Sequence, residues 1–149
     1  LTWQETKVVG IDYWAAVYNY SQTLCEKNAA SEGAGNRCTF YHGDANKLDF
    51  PDGSFDAVVS NYVYHNITGA DKQQLLLETL RVLKKGGVFA LNDEMKPGMY
   101  GDMEAFAQKL RDMGYEEVRL IDTAKEVFGS HRRAAMMMLG ESRMLVGRK

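Results

Sequence analysis

The sequence predicts an α/β protein built on a mostly parallel sheet, and three observations lead there. Short apolar runs, Val8-Val9-Gly10-Ile11 and Phe55 with Ala57-Val58-Val59, are continuous rather than alternating, as expected of strands covered on both faces. Between such runs lie segments with a 3.6-residue apolar period, the clearest being Met103, Phe106, Ala107, Leu110 and Met113. Polar residues stand just past the apolar runs, at Asp12, at Gly43-Asp44-Ala45 and at Ser60-Asn61-Tyr62. Ligands of open α/β sheets bind outside the carboxyl ends of the strands, so these are the positions to weigh for function.

Taken in order, residues 7–11 form a short buried strand with Asp12 at its carboxyl end, and a helix is expected over residues 21–30. Gly33-Ala34-Gly35 has the look of a phosphate loop. It follows a helix and precedes the strand Cys38-Thr39-Phe40-Tyr41, whereas a phosphate cradle needs strand before helix, so it reads as a helix end. Phe50-Pro51-Asp52-Gly53 is a turn: Pro51 presets φ at its second position and Gly53 suits its fourth. Before it, a short helix has room around residues 45–48.

Residues 71–84 read as an amphipathic helix with Leu76, Leu80 and Leu83 on one face, stopped by Gly86-Gly87. A strand over residues 88–91 ends in Asn92-Asp93-Glu94, and Pro97-Gly98 marks a loop. Asp102 is a good N-cap for the next helix, and Gly114 ends it. Strands follow around Val118 to Ile121 and over residues 142–148. Met136-Met137-Met138 lies between these strands; a helix packed on the sheet is favoured there over an adaptable substrate-contact surface.

Composition narrows the class. At 149 residues the chain is expected to be one domain, 1–149, and 45% apolar with 26% charged residues is ordinary for a globular protein. A net charge of −2 with mixed signs gives no basic stripe for a phosphate backbone, so nucleic acid is not an expected partner. Cys25 and Cys38 lack CxxC spacing and read as reduced thiols of a cytoplasmic protein; no metal site is expected. No apolar run approaches the roughly 18 residues of a membrane span. A homodimer is left open.

The pattern Gly43-Asp44-Ala45, Leu48, Phe50-Pro51-Asp52, Ser54-Phe55-Asp56, Val58-Val59-Ser60 and His65-Asn66-Ile67 is followed by Leu80-Arg81-Val82-Leu83-Lys84 and Gly86-Gly87. In this it closely resembles the class I S-adenosylmethionine-dependent methyltransferases of the "type 11" group, which includes quinone-biosynthesis C-methyltransferases. The resemblance runs from about Lys7 to Lys149. It implies a three-layer Rossmann-like fold, mostly parallel with a C-terminal antiparallel hairpin, that binds S-adenosyl-L-methionine, releases S-adenosyl-L-homocysteine and acts on a small molecule. It also implies a central strand and glycine-rich loop before Lys7, where this sequence supplies neither. Sequence upstream of Leu1 is therefore expected, and the chain without it is expected to bind the cofactor weakly.

Residue by residue, Asp12 is placed for the ribose diol, since one carboxylate accepts from two adjacent hydroxyls; the alternative for Asp12 is an N-cap or loop carboxylate. The resemblance assigns Asp44, with Gly43 and Ala45 beside it, to the adenine amino group; the alternative for Asp44 is an Asx-turn. Tyr13 or Trp14 is expected against adenine or ribose, with a core role as the alternative. Asn61 and Tyr62 open the loop near the amino-acid end of the cofactor and the transferred methyl. Their Asn-Tyr-Val-Tyr lacks the two prolines of amino-group DNA methyltransferases, which counts against a base amine as acceptor.

His65, the one histidine of that loop, is either a catalytic base or a structural residue, because methyl transfer from a sulfonium can proceed by positioning alone. A nicotinamide-dependent oxidoreductase would also use an acidic residue like Asp12, but the Asp44 loop and the closing hairpin argue against it. A non-catalytic remnant or partner-binding module stays as the other alternative.

Overall fold

In the computed structural model, which describes residues 5–14 and 21–149, the chain divides into two units, Leu1–Asp49 and Phe50–Lys149. In the first, β1 (Val8–Asp12) and β2 (Cys38–His42) pair in parallel, with Asp12 opposite His42. Between them α1 (Gln22–Ser31) starts at Ser21, whose side chain accepts from the Leu24 N–H. Gly33 ends it in the left-handed region at φ 68°, and the Ala34 N–H reaches the Ala29 carbonyl at 2.8 Å. The Gly33-Ala34-Gly35 segment is thus a helix end. No short helix forms at residues 45–48. Asp44 Oδ1 instead accepts from the Asn46 backbone at 2.8 Å and its side chain at 2.7 Å, closing an Asx-turn bridged to Lys47.

The second unit is a four-stranded sheet in the order β3 (Phe55–Asn61), β4 (Leu83–Glu94), β6 (Ser142–Arg148), β5 (Glu116–Ile121). β3 and β4 are parallel, and β6 runs antiparallel to both β4 and β5. The helices are α2 (Lys72–Arg81), α3 (Pro97–Tyr100), α4 (Met103–Asp112), α5 (Thr123–Phe128) and α6 (His131–Met136), with a 3-10 turn at Tyr64–Asn66. Asp71 and Asp102 cap α2 and α4 through their carboxylates. The core sits between Leu75, Leu76 and Leu80 of α2, Phe106 and Leu110 of α4, and Phe89, Leu91 and Leu145 of the sheet. Among the described residues no helix is long and apolar enough to cross a membrane.

Several sequence expectations are corrected. α2 ends at Arg81, and Gly86-Gly87 lies inside β4 rather than stopping a helix. The β3–β4 register jumps from Phe55↔Leu83 to Ala57↔Val88, so the glycines form a bulge opposite Asp56. A side chain on Gly87 would lie 2.9 Å from the Asp56 carbonyl oxygen. The last turn of α2 is closed from the far end of the chain, because Lys149 Nζ donates to the carbonyls of Leu80, Arg81 and Leu83. Pro97-Gly98 opens α3, with Pro at the first turn where its missing N–H costs nothing. β3 is not covered on both faces: Val59 is 80% exposed. Met113, just past the end of α4, is exposed as well. Met136, Met137 and Met138 are 81%, 65% and 80% exposed, so they are not a core helix face.

Candidate active site

The register of the second sheet places Asn61 beside Asn92, Asn92 beside Met144, and Met144 beside Ile121. The carboxyl ends of β3, β4 and β5 therefore share one edge with the start of β6. Just past β3, Tyr62 takes a left-handed φ of 54° and its N–H is held by the Asn92 carbonyl at 2.9 Å. A non-glycine residue there is strained, and such strain gathers at functional loops. The reversal hands the chain to the 3-10 turn that carries His65.

Asp93, 28 positions along the chain, fixes that turn. Its side chain has 0% exposure. Oδ2 accepts from the backbone N–H of Tyr64 at 2.8 Å and of His65 at 3.3 Å, while Oδ1 accepts from the Glu94 N–H at 2.7 Å. Oδ1 also lies 2.6 Å from His65 Nδ1. A carboxylate accepts only, so Nδ1 carries the hydrogen and the lone pair of the neutral ring sits on Nε2. Beside this pair, burial first and then the nearby Asp93 charge push the Tyr100 phenol far above its ordinary pKa. Burial does the same to Tyr64, against the hydrogen bond to Thr79.

A second polar chain runs along the same edge. Tyr62 Oη lies 2.6 Å from Ser142 Oγ, and Ser142 Oγ lies 2.8 Å from Thr123 Oγ1. Thr123 Oγ1 donates to Asn92 Oδ1 at 3.0 Å, and Asn92 Nδ2 donates to Asn61 Oδ1 at 2.8 Å. Thr123 and Ser142 are buried, whereas Asn61 is exposed.

In the first unit, Asp12 and Asp44 lie at the carboxyl edge of the parallel pair, and the Gly43 N–H donates to the Asp12 carbonyl at 3.0 Å. Asp12 Oδ1 accepts from the Trp14 N–H at 2.8 Å, which helps set the turn at Trp14, φ 42°. The Tyr13 ring is exposed and 5.1 Å from His42. Asp44 is held below its usual carboxylate range, first by the Asn46 backbone N–H and then by the Asn46 side chain. The turn and the ligand role are not exclusive, since Asn46 occupies Oδ1 alone.

Comparison with known proteins now bears on this edge. Residues 2–91 match the family described as "Methyltransferase domain". The chain belongs to that methyltransferase family. It is 42% identical over 65 residues to the demethylmenaquinone methyltransferase of Listeria welshimeri, covering 44% of this chain and 27% of that protein. It is 30% identical over 99 residues to the 27-O-demethylrifamycin SV methyltransferase of Amycolatopsis mediterranei, covering 66% of this chain and 35% of that protein. The matches thus span about a third or less of these relatives. Among solved structures, geranyl diphosphate C-methyltransferase from Streptomyces coelicolor A3(2) superposes with TM-score 0.66 at 11% identity, covering 96% of this chain and 63% of that one. The [4+2]-cyclase SpnF does so with TM-score 0.64 at 20% identity, covering 97% and 67%. The fold is therefore the Rossmann-like fold of these proteins.

For this methyltransferase domain the residues singled out in the sequence fall into two groups. Asp12, Tyr13, Trp14, Gly43, Asp44 and Ala45 stand at one edge of the first unit; Asn61, Tyr62 and His65 stand at one edge of the second. Sequence reasoning missed Asp93, Asn92, Thr123 and Ser142. The available signal was Asn92-Asp93-Glu94 at the end of a predicted strand, the same signal that marked Asp12.

Proposed function

We propose that the protein transfers a methyl group from S-adenosyl-L-methionine to a small-molecule acceptor in the cytoplasm, with His65 taking the proton the acceptor gives up. The His65–Asp93 pair on the ligand edge carries this reading. When bound, the cofactor supplies an electrophilic methyl group on a sulfonium and leaves as S-adenosyl-L-homocysteine. The donor set of the first unit fits its nucleoside end: Asp12 and Asp44 are acceptors at one sheet edge, suited to ribose hydroxyls and an adenine amine. In the second unit, Asp93 holds His65 with Nε2 as proton acceptor, so an acceptor hydroxyl or acidic carbon would lose its proton there as the new bond to methyl forms.

The fold alone does not fix this chemistry, because a protein named a [4+2]-cyclase shares it. A second, non-methylating reading is therefore tested in the same assay. The relatives' names make demethylmenaquinone and 27-O-demethylrifamycin SV the first acceptors to try, with methyl-labelled cofactor and the full-length protein. His65→Gln is expected to lower turnover by about 10²–10⁴-fold while S-adenosyl-L-homocysteine affinity holds. Unchanged turnover in the variant would remove the base, and failure to bind S-adenosyl-L-homocysteine would remove methyl transfer altogether.

A further inference from the structure

α6 and the turn that follows it sort their side chains sharply. Ala134 is buried and Leu139 half-buried, whereas Arg132, Arg133, Met136, Met137 and Met138 are exposed. Side chains four apart share a helix face, so Arg132 stands beside Met136, and Arg133 beside Met137 at the helix end. Neither guanidinium has a hydrogen-bond or ion-pair partner among the described residues. Residues 131–140 contain His131, Arg132 and Arg133 and no carboxylate.

The stability of the helix end does not account for its sequence. The Leu139 N–H donates to the Ala134 carbonyl at 2.9 Å and the Met138 N–H to the Ala135 carbonyl at 3.0 Å. In this closing motif the left-handed residue is ordinarily glycine. Here it is Met138, at φ 62°, where a side chain brings strain that glycine would avoid. The positions that pack in such a motif are those of Ala134 and Leu139, which leaves all three methionines facing outward. His131 Nδ1, 2.8 Å from the Gly140 carbonyl, ties the start of the segment to its end, so the face is held in place.

We propose that this face docks the protein on a membrane surface carrying anionic phospholipid, with Met136, Met137 and Met138 entering between headgroups and Arg132 and Arg133 on the phosphates. Flexible, apolar methionine suits a fluid surface of no fixed shape. The guanidinium fork matches phosphate, and its apolar stem lies along the methionine beside it. Two other occupants fit less well. A stable protein interface takes roughly 20–30 residues a side, more than this turn supplies. A two-fold contact with a second copy would set arginine against arginine, with no carboxylate in residues 131–140 to separate them. The face shares no residue with those assigned to the cofactor or to His65, so the inference goes beyond methyl transfer and is tested apart from it.

The test is co-sedimentation of the full-length protein with phosphatidylcholine vesicles, with and without phosphatidylserine. Binding is expected only with phosphatidylserine, and to fade as ionic strength rises from about 0.1 M to about 1 M. Arg132→Gln with Arg133→Gln should weaken it by about tenfold or more. Met136→Gln with Met137→Gln should weaken it as far, at an unchanged melting temperature because both sites are exposed. Met138→Gly should weaken binding while leaving the melting temperature equal or higher, a split that a purely structural role for Met138 would not give. S-adenosyl-L-homocysteine affinity should stay the same in all three variants. Failure of the parent to sediment with phosphatidylserine vesicles, or methionine variants that bind them as the parent does, would overturn the proposal. So would self-association of the parent in sedimentation velocity that the methionine variants abolish, which would assign the face to a second copy.

Discussion

A buried carboxylate is costly unless its oxygens are saturated with donors, and Asp93 takes four N–H groups from Tyr64, His65 and Glu94. Asp93→Asn keeps the shape but offers an amide hydrogen where the carboxylate offered only lone pairs. The expected outcome is a shift of the His65 hydrogen from Nδ1 to Nε2, read by nitrogen NMR of the ring, with loss of turnover and a fold that persists. A ring that keeps its hydrogen on Nδ1 would show that Asp93 does not select the tautomer. His65 was legible in the sequence as the single histidine of a loop after a strand. Asp93 was not legible as its partner, because only the parallel register of β3 and β4 brings positions 28 apart into contact.

Elements whose signals are local were read well, and those set by distant contacts were not. α4 carries its own cap and period, and Leu110 lies fully buried within it, so Leu110→Ala should cost roughly 2–5 kcal/mol in a urea titration. Gly86-Gly87 carried the local signature of a helix end, yet becomes a bulge because β3 and Lys149 hold the segment on both sides. Gly87→Ala should destabilise by about 1–3 kcal/mol, since the carbonyls of Asp56 and Lys84 would both lie 2.9 Å from the new carbon. No local pattern told which way the three methionines face.

The α5–α6 segment is held by His131, whose Nδ1 lies 2.8 Å from the Gly140 carbonyl and Nε2 2.8 Å from Asp122 Oδ2. Two acceptors require the doubly protonated ring. The Gly140 carbonyl first, then Asp122, raise its pKa, with Glu141 adding to the effect. Burial pushes Asp122 up, but the Lys125 N–H, His131 and Arg143 together hold it below its usual range. A raised histidine stabilises fully below its unfolded value, about pH 6.5, and that stability is lost as pH rises through the folded value. Melting temperature should therefore fall more steeply above about pH 6.5 in the parent than in His131→Gln, and parallel curves would refute the clasp.

Across the whole molecule the buried apolar side chains are unevenly shared. Among the described residues of Leu1–Asp49 only Leu48 is a buried hydrophobic, and α1 buries none of its side chains. Phe50–Lys149 holds the rest, from Tyr64 to Leu145. Local opening free energy follows buried apolar contact, so the two units should not open together. Amide hydrogen exchange of the whole chain should be slowest at Leu91, Leu110 and Leu145. The β1 and β2 amides should exchange about a hundredfold faster, a gap of roughly 3 kcal/mol in opening free energy. If S-adenosyl-L-homocysteine binds through Asp12 and Asp44, saturating ligand should slow β1 and β2 most, because ligand adds to the stability of the state it binds. Uniform protection without ligand would contradict the uneven core, and ligand protection confined to β4 and β6 would contradict the carboxylate assignment in the first unit.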